Sequence, residues 1–196
     1  MIVASEDVLL EAVTKRLLVD FGHNIGDIIF ICTGGQTKLH KRVPDLIKSS
    51  RGGLHVIVST DLDTYQCPVK LRDKWFPNGI PTLFLFSVAI REVDAWLLAD
   101  ENIRSFLKSR LSAPENPETL QDAKRALLFL AKHSKSRSIR DEMIARDDSL
   151  ARIGPGYNRL LREFISSQWD HEAASIKSPS LRRYRERLRM FGQTRK

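Results

Sequence analysis

Residues 54–63 read LHVIVSTDLD. An apolar, β-branched run ends there on two aspartates, Asp61 and Asp63. Short continuous runs of this kind, bounded by turn residues, read as strands buried on both faces. Two other stretches share the design. MIVASED (1–7) ends on Glu6 and Asp7, and TLFLFSVAIREVD (82–94) ends on Glu92 and Asp94. DIIFICT (27–33) is a further apolar run, broken by Gly34 and Gly35. Strands are therefore expected over Met1–Ala4, Asp27–Thr33, Leu54–Thr60 and Thr82–Ala89. Helical stripes lie between them. Leu9, Leu10, Val13, Leu17 and Leu18 follow the first run, with Ser5 as the expected N-cap. Leu39, Val43, Leu46 and Ile47 follow the second, with Pro44 expected near an end or a kink. Val69–Trp75 suits a short helix closed by the turn PNGIP, and Glu92–Ala99 has helical spacing. Strand–helix alternation predicts an α/β fold: a mostly parallel four-stranded sheet flanked by helices.

After about residue 100 strong β runs disappear. Leu120–His133, Ile139–Arg146, Tyr157–Trp169 and Leu181–Met190 read as helices, with IGPGY (153–157) as the turn that starts the third. Ser178 and Pro179 suit the cap and first position of the last one. The expected organisation is an α/β core over residues 1–100 and a helical C-terminal extension over 101–196, packed on that core.

At 196 residues, 42% hydrophobic and 29% charged, the chain has globular composition and length for one core with an appendage. No apolar run is long enough to span a bilayer, and the acidic start is unlike a signal peptide. Cys32 and Cys67 lack zinc-site spacing and suit reduced thiols, so a cytoplasmic location without membrane association is expected. Cys32, inside DIIFICT, is expected in the core. The five histidines lack metal-ligand spacing, and GGQTK (34–38) lacks the spacing of a phosphate loop. Trp96 and Trp169 fall at apolar helical positions and are expected to pack.

The net charge of +8 is concentrated at one end. Residues 177–196 carry Lys177, Arg182, Arg183, Arg185, Arg187, Arg189, Arg195 and Lys196 against Glu186 alone. A basic end suits either an anionic partner, nucleic acid being the commonest, or a solvated helix face.

The acids carry the chemistry. The carboxyl ends of parallel strands converge on one crevice. Carboxylates gathered there repel one another unless a cation neutralises them, and Mg²⁺ needs few of them because it keeps several waters. Continued strand geometry would point Asp61 and Asp63 the same way. Glu6 is expected as a metal ligand or general base, and Glu92 as a further ligand, with Asp94 facing elsewhere. The structural alternative for each is a helix-capping or dipole-complementing acid, and one of Glu6 and Asp7 is expected to have that role. Glu11, about one turn on, is expected as an exposed helix charge.

An N-terminal strand ending in Glu6, a later strand ending in Asp61-x-Asp63 and a four-stranded α/β core resemble the Toprim domain. That Rossmann-like domain is shared by topoisomerases, bacterial primases, recombination proteins and the overcoming-lysogenization-defect nucleases. The segment IREVDAWLLADE (90–101) and the ending from GPGYNRLLREF are similar to small Toprim-related bacterial proteins, some linked to phage defence. The resemblance implies catalytic and metal roles for Glu6, Asp61, Asp63 and Glu92, with Mg²⁺ or Mn²⁺ as cofactor. It implies divalent-metal-dependent cleavage of phosphodiester bonds in nucleic acid, DNA before RNA. Lys177, Arg182, Arg183, Arg185 and Arg187 are then the residues expected on the backbone phosphates. A partner protein such as an ATPase, and self-association, stay open. Asp7 stands where the family glycine follows the glutamate. Two other readings remain: a non-catalytic Toprim-like scaffold that binds nucleic acid or a partner, and a receiver-like phosphoacceptor domain with Asp61 as acceptor.

Overall fold

The structure, a computed structural model, describes residues 1–145 and 152–191. The expected helix end at Arg146, and Arg195 and Lys196 of the basic tail, lie outside the described residues. The elements run β1 (Ile2–Ser5), α1 (Val8–Asp20), β2 (Ile29–Cys32), α2 (Gln36–Arg51), β3 (Val56–Asp61), α3 (Pro68–Trp75), β4 (Phe84–Ala89), α4 (Val93–Leu98), α5 (Asn102–Phe106), α6 (Ala123–Lys132), α7 (Arg137–Met143), α8 (Tyr157–Ser167), α9 (His171–Lys177) and α10 (Pro179–Met190). They form two compact units, Met1–Ile90 with Ser180–Lys196 and Arg91–Pro179. The division falls ten residues before the boundary expected at residue 100, and the last helix joins the sheet unit.

In the sheet unit all four strands are parallel, in the order β2-β1-β3-β4. The α/β expectation holds, with a helical region after the sheet. The order follows from handedness. Parallel crossovers are right-handed, so α1 covers one face as the chain moves from β1 to β2. The chain then returns past β1 to β3, and α2 covers the other face. Strand side chains alternate accordingly. Ala4, Val56, Val58, Phe84 and Phe86 join Leu39, Val43 and Leu46 of α2 and Leu71 and Trp75 of α3 in one buried cluster. On the other face α1 buries Leu9, Leu10, Val13, Leu17 and Leu18. Thr14 of α1 meets Tyr184 of α10 there, hydroxyl to hydroxyl at 2.8 Å. Burial pushes the Tyr184 phenol well above its usual range.

β4 is an edge strand, and its outward backbone groups need partners. α10 supplies them from side chains. Arg187 donates to the Phe86 carbonyl at 2.8 Å, and the Ile90 N–H donates to Ser180 Oγ at 3.3 Å. Leu181, Tyr184 and Leu188 are buried beneath the same helix. The other edge is barer. β2 was expected to be buried, yet Ile29 is 60% exposed and Cys32 is exposed. Cys32 is therefore not a core residue, because β2 has a neighbour on one side only. Neither cysteine is in a disulfide. Pro44 lies inside α2 rather than at its end.

The second unit is helical. Trp96 and Trp169 are buried in it, as their spacing predicts. Its IGPGY turn presses on the end of α7: a Cβ on Gly154 would lie 2.3 Å from the Glu142 carbonyl oxygen. No described helix is long and apolar enough to cross a membrane.

Candidate functional site

The chain leaves β1 toward β2 on one side and later returns to β3 on the other. The carboxyl ends of β1 and β3 are thus a topological switch point, where open α/β sheets form a ligand crevice. Glu6 follows β1 directly, and Asp61 is the last residue of β3. The two strands pair with Ser5 opposite Ser59, and the Glu6 N–H donates to the Ser59 carbonyl at 3.1 Å. Their side chains reinforce the seam: Ser5 and Ser59 hydroxyls are 3.1 Å apart.

Glu6 reaches across this seam. Its carboxylate accepts the Thr60 hydroxyl at 2.6 Å and the Asp61 N–H at 3.1 Å. Burial pushes its pKa above the ordinary value, and the charges of Asp63 and Asp7 push the same way. The two hydrogen bonds oppose the rise without cancelling it. Asp7 is the structural member of the pair. Its carboxylate accepts the N–H groups of Leu9 and Leu10 at 3.0 and 2.9 Å and caps α1. The cap is therefore Asp7, not Ser5, which is the last residue of β1. Glu11 forms a helix-surface pair with Lys15 at 2.9 Å.

Asp61 is 5% exposed. Asp63 is exposed and lies beyond the strand, with φ at 50°. The alternation expected to point Asp61 and Asp63 the same way thus ends between them. Leu62 extends the ladder by one bond, its N–H donating to the Ala89 carbonyl at 2.9 Å, and the chain then turns.

The GGQTK loop is tied to the same two strand ends. Gly35 has φ at 140°, where side chains rarely fit, and its N–H donates to the Glu6 carbonyl at 2.9 Å. Gln36 donates to the Asp61 carbonyl at 2.8 Å and to the Thr60 hydroxyl at 3.3 Å. Thr60 and Gln36 were missed at the level of sequence. Their positions flanking a strand end and a glycine turn were the available signal.

Glu92 belongs to the helical unit. Its carboxylate accepts the Lys124 N–H at 3.1 Å and lies 3.6 Å from Lys124 Nζ, at the start of α6. Asp94 is 1% exposed, accepts the Tyr157 hydroxyl and lies 3.7 Å from Lys124 Nζ. Asp100, at the end of AWLLAD, accepts the N–H groups of Asn102 and Asp170 at 2.9 and 2.7 Å. Burial raises its pKa. The acids of this motif therefore hold helix starts together within their unit.

Among the basic residues, Lys177 pairs with Glu101 at 2.7 Å in the helical unit. Arg182 and Arg183 are exposed on α10, Arg185 is half-buried, and Arg187 is bonded to β4.

The donors at the switch point are oxygens, which suits a hard cation. Among the described residues, no group of three or more His, Cys, Asp or Glu side chains is assembled to hold a metal. The charges of Asp63 and Asp7 act on Glu6, and a cation here would draw on Glu6 and Asp63 and on water. That is enough for Mg²⁺, which is commonly bound through one or two carboxylates. No family model, curated protein or solved structure matches this chain.

Proposed function

We propose that the switch point between β1 and β3 is the reacting site of a divalent-metal-dependent nuclease of Toprim type. The observation that carries the reading is Glu6: a carboxylate fixed at the crevice, part-buried and pressed by the like charge of Asp63. Such a group favours either a cation or a proton. Mg²⁺ or Mn²⁺ bound beside it would lower the pKa of a coordinated water and neutralise charge on the phosphate oxygens. Thr60 and the Asp61 N–H orient Glu6, and Gln36 ties its loop to the end of β3. Glu6 would be either a ligand of that ion or, left uncoordinated, the base that takes a proton from the attacking water. Exposed Arg182 and Arg183 would meet backbone phosphates, which position a strand without reading its sequence.

A non-catalytic scaffold is the second reading. It is favoured by the engagement of Glu92 with Lys124 and by the lack, among the described residues, of a three-acid group. One assay separates the two. Full-length protein is incubated with single- and double-stranded DNA and RNA in Mg²⁺, in Mn²⁺ and in chelator. A nuclease cleaves at least one substrate in metal only, and Asp61→Asn with Asp63→Asn lowers the rate by about a hundredfold or more. Binding that persists with no metal-dependent cleavage of any substrate rejects the nuclease in favour of the scaffold.

A further inference from the structure

A cleft of about 260 Å³ runs along the outer edge of β4. It straddles the rim of the sheet, with Arg72 reaching it from α3 and Arg183 and Arg187 from α10. Ser87 also lines it, and Pro68, Val69, Val88 and Ile90 make part of the lining apolar. Among the described residues, no acidic side chain lines it. An anion entering the cleft would meet all three guanidinium groups. Each has a different tie. Arg72 pairs with Asp73 at 2.7 Å, outside the lining. Arg187 gives one N–H to the Phe86 carbonyl, and desolvation lowers its pKa. Arg183 has no hydrogen-bond or ion-pair partner among the described residues.

We propose that this cleft is a nucleotide subsite, with Arg183, Arg187 and Arg72 holding a phosphate and the apolar part of the lining taking the sugar or base. Guanidinium forks match phosphate oxygens in pairs, and the Ser87 hydroxyl adds a donor. The volume admits about one nucleotide, so the ligand is a nucleoside phosphate, free or as one unit of a strand. The location fits either source. Val88 and Ala89 are in register with Thr60 and Asp61, so the cleft lies one strand away from the carboxyl end of β3. The site rests on its own lining and stands whether or not the switch point cleaves anything.

The test uses the full chain, titrated calorimetrically with inorganic phosphate, adenosine monophosphate and a short oligothymidylate, each without divalent metal. Saturable binding of at least one probe is expected, together with competition by phosphate. Arg183→Gln should weaken it about tenfold, the worth of one charge-assisted pair. Lys41→Gln, exposed on α2 and outside the lining, should leave it within about twofold. Arg183→Gln removes a side chain with no bond to lose, so a thermal melt should match the wild type. Tighter binding of the monophosphate identifies a free nucleotide, and tighter binding of the oligomer identifies a strand. Absence of binding by all three probes overturns the site, as does an Arg183→Gln affinity equal to the wild type. All three titrations are read without divalent metal and without cleavage, which keeps failure here apart from failure of the nuclease reading.

Discussion

Glu6 holds a proton more tightly in the folded chain than its ordinary value of 4.5 implies. Burial is the main cause, and Asp63 and Asp7 add to it. The folded state therefore binds more protons than the unfolded chain just above that value. Stability must fall as pH climbs through the window from 4.5 to the folded pKa. Glu6→Gln keeps an acceptor for Thr60 and Asp61 but loses the charge. Its urea midpoint should be equal or higher near neutral pH, and its pH profile flatter through that window. If Glu6 and Asp63 hold a cation, Mg²⁺ should raise the melting temperature of the wild type and not of Glu6→Gln. An Mg²⁺ response that survives the substitution would place the ion elsewhere. The sequence made Glu6 a candidate but left its neighbour ambiguous. Both acids follow β1, and only the turn into α1 decides which one caps and which one reaches across to β3.

Single elements depend on such details. Asp7 holds two N–H groups of the first turn of α1, so Asp7→Ala should cost about 1 kcal/mol in chemical denaturation. A loss near zero would mean that water replaces the cap. Strand and helix identities were readable because apolar period and turn residues are local signals. β1, β3 and β4 shift from the expected spans by one or two residues. What was not readable depended on neighbours distant in sequence. Nothing in DIIFICT distinguishes an edge strand from a central one, so Cys32 was expected inside and lies exposed. In the same way, strand alternation suggested that Asp61 and Asp63 act together. The φ of 50° at Asp63 breaks that alternation, and a turn angle is not encoded in apolar pattern. The acids of IREVDAWLLADE were ambiguous for a similar reason: Lys124, Tyr157 and Asp170, which engage Glu92, Asp94 and Asp100, come 30 residues or more later.

At the scale of the molecule the adjacency of Glu6 and Asp61 was legible because topology is constrained. Right-handed crossovers and a return past β1 put Glu6 and Asp61 on adjacent strand ends. The role of the C-terminal helix was not legible. Its arginines suggested a solvent or nucleic-acid face, whereas Arg187 completes the sheet edge and Leu181, Tyr184 and Leu188 fill the layer beneath. Burying side chains of this size is worth about 1.5–3 kcal/mol each. Their sum is comparable with the roughly 5–15 kcal/mol that holds a typical domain together. Deleting the chain from Ser180 onward should therefore abolish cooperative melting of the sheet unit by circular dichroism, and a truncated protein that melts like the wild type would contradict this account. Arg187 and Phe86 are separated by 101 positions. On the ribosome the sheet must wait, its rim uncovered, while the whole helical unit is synthesised. The nascent chain thus passes through a stage in which β4 offers its backbone to any passing strand, and chaperone occupancy should concentrate there.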